Sequence, residues 1–316
     1  MNDAPMNPGV VTGFINLNKP NALTSFDCIR RLRKLIGTRK MGHLGTLDPS
    51  ATGVLPVATG RATRLIPYLE GGGKIYRAVF LLGMVTDTDD CQGTVKSTAP
   101  VEHITADEVF KHLQTFTGDI IQTPPTVSAV KVDGVRAYQL ARQGRNPRPK
   151  PRKVRIDRIE LITADLPRLE IRLETGPGVY VRSVARDLGE VLGCGGTVEQ
   201  IIRERSGGFL LKDSITLEQV EEFCRKDEAE KILIPPEKVL QGFSRVTVSP
   251  RGMELVRNGR PLGKEMLILK HCDIDWTRDD PVMILDPAGR LIAVGRPRPD
   301  MRIHLEKVLT QVNTMK

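Results

Sequence analysis

The ten residues Lys74 to Gly83 constrain the fold more than any other segment of the chain. Side chains alternate across a strand, so Tyr76, Ala78, Phe80 and Leu82 share one face, and Ile75, Val79 and Leu81 share the other with Arg77. A strand this apolar on both faces is expected to be largely covered on both, inside a sheet flanked by other elements. Further strands are predicted at Phe14 to Leu17, running into Lys19-Pro20, at Val154 to Ile162, and at Leu169 to Leu173. Helical spacing appears between them. Thr24 or Ser25 caps a helix with Ile29, Leu32, Leu35 and Ile36 inward, stopped by Gly37, and Ser183 caps another with Val184, Leu188, Val191 and Leu192 inward, closed by Gly193. Ala106 to Thr115 and Leu217 to Cys224 fit shorter helices. Strands and helices mix without a βαβ alternation, so the expected fold class is α+β, with a mixed, largely antiparallel sheet flanked by helices.

The length, 316 residues, accommodates about two domains. A seam near Pro235 to Ser244 divides a body, residues 1–240, from a small mostly-β module, residues 245–316. The module has strand-like runs at Met266 to Leu269, Val282 to Leu285 and Leu291 to Val294, and the turn Asp286-Pro-Ala-Gly289 makes the last two a hairpin. The longest apolar stretch, Ala78 to Val85, is far short of the ~20 residues a spanning helix needs. Met1 to Val11 lacks the basic flank and apolar core of a signal peptide, so a cytoplasmic protein with no membrane partner is expected. The five cysteines (Cys28, Cys91, Cys194, Cys224, Cys272) are odd in number and form no C-x-x-C pair, and the five histidines show no metal-ligand spacing. Reduced, buried thiols and no metal are the expectation. Gly71-Gly-Gly-Lys74 leads into a strand, Asp87 to Asp90 fails as a calcium loop at Gln92 and Thr98, and no G-x-S-x-G occurs. No cofactor is expected.

Lys and Arg outnumber Asp and Glu by 47 to 38, a formal charge of +9 that points to a polyanion such as nucleic acid. The surplus is concentrated. Arg30, Arg31, Arg33, Lys34, Arg39 and Lys40 follow one another without an acid. A second run comprises Arg142, Arg145, Arg148, Lys150, Arg152, Lys153, Arg155 and Arg158, interrupted only by Asp157. Its Asn146 to Pro151 core has too many prolines for a helix or a central strand, so it reads as an exposed arm, either a flexible linker or a phosphate-contacting loop. The first run opens into Gly42 to Pro56, with three glycines and two prolines, a fixed loop whose backbone can approach another molecule closely. Asp48 is the only carboxylate between Asp27 and Glu70. It is either a turn former ahead of Pro49 or a reactive acid in a positive setting.

The segment Gly42 to Arg64, GHLGTLDPSATGVLPVATGRATR, resembles the catalytic motif of the TruB-type tRNA pseudouridine synthases. The likeness extends through Asn18-Lys19-Pro20 with Thr24-Ser25, Lys74-Ile-Tyr76, Thr86-Asp-Thr-Asp89, Pro124-Pro125, Ser128-Ala129, Tyr138, Gly178 to Ser183, and Arg203 to Gly208. The C-terminal part is similar to the PUA-like RNA-binding domain of the bacterial members. This resemblance implies the pseudouridine synthase fold and isomerisation of the T-loop uridine at position 55 of tRNA. The base would leave C1′ at N1, turn, and rejoin through C5, with water excluded. No cofactor and no metal are implied.

Carried over residue by residue, the resemblance makes Asp48 the catalytic aspartate, as nucleophile or as general base in a glycal route. Arg182 becomes the arginine paired with it, and Tyr76 the tyrosine that stacks on the target base and assists proton transfer. His43 would help open the T-loop, Tyr180 and Ile201 would line the uracil pocket, and Lys19 and Pro20 would pack beneath the catalytic loop. The family usually has an aromatic residue where this chain has Val127, so a stacking contact from that position is not implied here. The implied partner is tRNA, held by its T-arm and, through the C-terminal domain, by its acceptor end; the protein would be a monomer. Two other readings fit some of these features: an RNA-chaperone protein using the same basic runs, and a hydrolase using Asp48, against which stands the lack of a second positioned carboxylate.

Overall fold

The computed structural model describes residues 12–268 and 274–310. In chain order the strands of the body are β1 (Gly13–Lys19), β2 (Met41–His43), β3 (Thr52–Thr59), β4 (Lys74–Leu82), the hairpin β5 (Met84–Thr86) and β6 (Val95–Thr98), β7 (Gly118–Gln122), the hairpin β8 (Lys131–Val132) and β9 (Val135–Arg136), β10 (Arg152–Asp165), β11 (Arg168–Thr175), β12 (Gly196–Ser206) and β13 (Phe209–Leu210). Its helices are α1 (Ser25–Ile36), α2 (Ile66–Leu69), α3 (Ala106–Gln114), α4 (Ala137–Arg142), α5 (Val181–Val191), α6 (Leu217–Arg225) and α7 (Pro236–Val239). One sheet runs β1-β3-β12-β4-β11-β10-β7, with β2 added to β3 and β13 to β12. Only β3 and β12 pair in parallel, so the mixed, largely antiparallel α+β arrangement holds. Among the described residues no helix is long and apolar enough to cross a membrane.

As the sequence pattern requires, β4 sits between β12 and β11. Tyr76, Ala78, Phe80 and Leu82 join one core with Ile29 and Leu32 of α1, Val109 and Leu113 of α3, Val184 and Leu188 of α5, and Val220 of α6. The opposite face departs from the expectation of apolar cover. Ile75 is buried, but Val79 and Leu81 are only half-buried and Arg77 is exposed. Arg77 pairs with Glu170, and Arg172 pairs with Glu204 at 3.0 Å, so charged side chains with aliphatic stems lie over that face.

The helix boundaries show where local chemistry governs. Thr24 caps α1 in a box with Asp27, and Gly37 ends it in the left-handed conformation at φ 72°. Ser183 does not cap α5, which begins two residues earlier. No side chain caps the helix; the residue before it is held from elsewhere in the fold, since Gln122 at the end of β7 accepts from the Tyr180 N–H at 2.8 Å and donates to the Tyr180 carbonyl at 3.1 Å. Ser183, released from that role, is buried and donates to the Thr123 carbonyl at 2.9 Å. Val191 lies 54% exposed, outside the buried face set by Val184 and Leu188.

The Gly42 to Pro56 segment is a loop only in its middle, because its ends are drawn into β2 and β3. The Pro56 carbonyl accepts from Leu44 N at 2.9 Å. The second basic run likewise divides. Asn146 to Pro151 forms an irregular arm with Pro147 and Pro149 buried and Arg148 and Lys150 exposed, whereas Arg152 to Arg158 belong to β10. Cys28 and Cys194 are buried and Cys224 is half-buried, but Cys91 is exposed, contrary to the expectation of buried thiols.

Beyond α7 a second sheet forms from β14 (Ser244–Val248), β15 (Leu262–Gly263), β16 (Leu267–Ile268), β17 (Val282–Leu285), β18 (Leu291–Arg298) and β19 (Arg302–Val308), with α8 (Pro250–Arg257) beside it. Its order is β15-β19-β18-β17-β14-β16, and β17 and β18 form the expected hairpin. Met1 to Val11, Leu269, His271 and Cys272 lie outside the described residues. The two sheets share a core: Phe14, Leu44, Val54, Ala58 and Leu65 of the body pack in one cluster with Met283, Leu285, Leu291 and Val294. Arg61 adds a hydrogen bond of 2.7 Å to the Leu309 carbonyl.

The parallel contact of β3 with β12 leaves no room for a side chain at Gly53. Thr52 and Gly53 face Ile202 and Arg203, Gly53 has φ 98°, and a Cβ there would lie 2.4 Å from the Arg203 carbonyl oxygen. Gly53→Ala should therefore lower stability by about 2–4 kcal/mol, combining a strained φ with a backbone clash. A urea unfolding series with unchanged slope and a lower midpoint would show it; an unchanged midpoint would refute it.

Candidate active site

Asp48 stands on the turn between β2 and β3, and two elements hold that turn. Ser25, the first residue of α1, accepts from Leu47 N at 2.9 Å and donates to its carbonyl at 3.1 Å. Lys19, at the end of β1, is fully buried and donates to the carbonyls of Pro20 (2.8 Å), Leu23 (2.6 Å) and Pro49 (3.1 Å). Ala51 N closes the turn on the Asp48 carbonyl at 3.1 Å. Asp48 is thus both the turn residue and an available acid, with its side chain 33% exposed.

Arg182, in the first turn of α5, meets Asp48 along both carboxylate oxygens. Its Nη2 donates to Oδ1 at 3.0 Å and its Nε lies 2.9 Å from Oδ2. The guanidinium is 3% exposed, so it needs further acceptors. It finds the Thr88 carbonyl at 2.6 Å, the Val127 carbonyl at 2.9 Å and, more distantly, Asp90 Oδ2 at 3.8 Å. A planar fork can serve these together where an ammonium cannot. One turn on, Arg186 pairs with Asp89 at 2.9 Å and donates to the Thr123 carbonyl at 2.9 Å, so two arginines on one helix tie down the same two segments. Val127, which lacks an aromatic ring, contributes its carbonyl instead.

A cavity of 260 Å³ opens beside Asp48, lined among others by Lys74, Tyr76, Tyr180, Ile201 and Arg203. The structure therefore brings Asp48, Tyr76, Tyr180 and Ile201 together, as predicted. Arg182 reaches Asp48 without lining the cavity, and Lys19, Pro20 and His43 lie outside it. Arg152 lies over the Tyr180 ring, 5.2 Å from its centre, and also donates to the Gly178 carbonyl. Lys74, Gln122 and Arg203 were not singled out by sequence reasoning; Lys74 and Arg203 stand inside matched motifs, whereas nothing local marks Gln122.

Electrostatics follow from burial. Burial lowers Lys19 to about 8, with Cys28 and Asp48 opposing the shift. Burial, and then the nearby Arg203 charge, lower Lys74 and His43, while burial raises the Tyr76 phenol against the pull of Arg203. The one carboxylate of the cavity thus stands against the Arg182 guanidinium and near the buried Lys19 ammonium.

With this geometry in hand, comparison with known proteins is decisive. The family model for the N-terminal domain of TruB family pseudouridylate synthase matches residues 33–181, and that for the tRNA pseudouridylate synthase B C-terminal domain matches residues 182–241. A tRNA pseudouridine synthase B from Dehalococcoides mccartyi is 41% identical over 94% of this chain and 96% of its own length. The chain belongs to the TruB family. A TruB relative from Microcystis aeruginosa is 49% identical over 65% of this chain and 71% of its own. The fold matches a chain of the Cbf5-Nop10-Gar1 complex at TM-score 0.72 and 25% identity, covering 98% of this chain and 93% of that one. It also matches a chain of the H/ACA RNP bound to a substrate RNA containing 2′-deoxyuridine, at TM-score 0.72 and 24% identity, covering 98% and 93%. The TruB fold here is thus the pseudouridine synthase fold, with a C-terminal mostly-β sheet of PUA-like type.

Because His43 is held below its ordinary 6.5 when folded, the unfolded chain takes up more protons as pH falls through that value. This TruB chain should lose stability from His43 between pH 7 and pH 5, and His43→Gln should flatten that part of the curve. Melting temperatures of both proteins at pH 5.5 and 7.5 would test this; parallel losses would refute it.

Proposed function

We propose that this chain isomerises the uridine at position 55 in the T-loop of tRNA to pseudouridine, with Asp48 as the catalytic carboxylate. The observation that carries the reading is the buried two-point contact of Arg182 with Asp48 at the edge of a cavity in which Asp48 is the one acid among the described lining residues. Glycoside hydrolysis by the usual route uses two positioned carboxylates, whereas this rearrangement needs one. Arg182 holds the Asp48 carboxylate by both oxygens and orients it towards C1′. Tyr76, Tyr180 and Ile201 supply the flat and apolar surfaces that hold a detached uracil while it turns, and the enclosure delays water that would otherwise complete hydrolysis. Either role of Asp48, nucleophile or base at the ribose, is served by that placement.

A base stacked in RNA has to be extruded to reach such a cavity, and loops make this less costly. His43, on β2 next to the catalytic turn, would occupy the space the base vacates. The exposed cations of α1 and of the Asn146 to Pro151 arm would hold phosphates on either side; the names of the relatives, synthases acting on tRNA, support tRNA as the polyanion. The unit formed by residues 245–316 would contact the acceptor end, with residues 1–240 as the catalytic unit, and the protein would act as a cytoplasmic monomer.

Asp48→Asn should abolish release of tritium from C5-labelled uridine in a tRNA transcript, while tRNA binding stays within about threefold of the parent. Release at the parent rate would end the proposal. Arg182→Lys should slow release by about 100-fold or more, since one ammonium replaces a fork with several acceptors. Measured in the same assay, a loss under about tenfold would argue against that role.

A further inference from the structure

Arg203 is the largest fully buried side chain among the described residues, and the chemistry derived so far gives it no part. Its Nε donates to the Val54 carbonyl at 2.7 Å and its Nη2 to the Gly45 carbonyl at 2.9 Å, one on each side of the turn that carries Asp48. The third arm, Nη1, is buried and makes no hydrogen bond of regular geometry, although the Tyr76 side chain is close enough to interact with the guanidinium. A buried, unsatisfied guanidinium N–H is expensive unless it serves something that arrives or forms later. Arg203 lines the cavity, and it stands directly across the β4–β12 ladder from Tyr76.

We propose that Arg203 is a positioning residue for the last step of the reaction, its guanidinium holding the Tyr76 oxygen and stabilising it as phenolate while the C5 proton is removed. This rests on the reading of Tyr76 as the group that moves protons. Once the base has rejoined C1′ through C5, the ring is a tautomer of the product: one proton has to leave C5 and one has to reach N1. The phenol gives its proton to N1. The resulting phenolate takes the proton from C5 as the C5–H pair forms the ring double bond, and the phenol is restored. Atoms and charge balance without an outside acid or base. The charged groups facing Tyr76 are Arg203 from β12, which favours the phenolate, and Asp48 from the turn, which opposes it. Asp48 is itself held by Arg182, and Lys74 precedes Tyr76 on β4. Burial alone would make the phenolate costly in this place, so a cation fixed by two backbone carbonyls is what the step requires.

A uridine bearing fluorine at C5 separates this step from those before it, because cleavage, rotation and rejoining can proceed but no C5 proton exists to be lost. Arg203→Lys keeps a charge but not three arms. It should slow tritium release from the ordinary substrate by about tenfold or more, while forming the rearranged 5-fluoro nucleoside within about twofold of the parent rate. A fluorinated tyrosine at position 76, whose phenol ionises more readily, should restore most of the lost rate in that background. Equal losses on both substrates, or no loss on either, would overturn the proposal. If Arg203→Lys does not fold, as judged by its melting curve, Arg203→Gln carries the same comparison with the same outcomes. Tyr76→Phe distinguishes the two layers: tritium release at the parent rate would refute the proton-transfer role of Tyr76 itself. Slow release in Tyr76→Phe with normal release in the Arg203 variants would refute only the role of Arg203.

Discussion

A guanidinium 3% exposed, lying along a carboxylate that still faces a cavity, organises the molecule. Arg182 cannot be left short of acceptors at that depth, and its acceptors come from three separate parts of the chain: the β2–β3 turn, the segment between β5 and β6, and the segment after β7. Each of those parts is therefore fixed relative to α5. The helix is in turn fixed to the sheet by Gln122, which satisfies both backbone groups of Tyr180. The active site is a consequence of how the fold satisfies one buried cation.

The sequence disclosed those features that a short stretch of chain determines. The twofold alternation in β4, the capping box of α1 and the Asp286 to Gly289 turn are all local, and all are in place. What it did not disclose depends on distant partners. Ser183 has the chemistry of a helix cap, but α5 begins at Val181 with no side-chain cap, and Gln122, far away in the chain, instead holds the backbone of the preceding Tyr180. The glycines and prolines of Gly42 to Pro56 describe a loop until β1 and β12 are beside them, and then the same residues pair as a strand. Asp48, Tyr76, Tyr180 and Ile201 were legible through motif resemblance and do share one cavity. Composition alone would have left all but Asp48 in the core.

The opposite face of β4 carries a related lesson. A pattern apolar on both sides suggests two apolar layers, yet the second side is covered by arginine and glutamate stems. Those side chains satisfy their charges mutually at the surface, with Glu170 and Arg168 directly across the ladder from Val79 and Leu81, a solution that hydropathy does not distinguish from helix cover. All the larger helices of the body are thereby left to the face that holds Tyr76, where the cavity is.

The core shared between the two sheets separates the unit that is recognised from the unit that can stand alone. The two family models end at residue 241, but Phe14, Leu44, Val54, Ala58 and Leu65 are covered in part by Met283, Leu285, Leu291 and Val294, well beyond that point. Leu44 and Val54 flank the catalytic turn itself. A chain cut after Gly242 would present an oily patch directly behind its own active site, so a fragment bounded by those models is a poor choice for expression, crystallisation or grafting onto another protein.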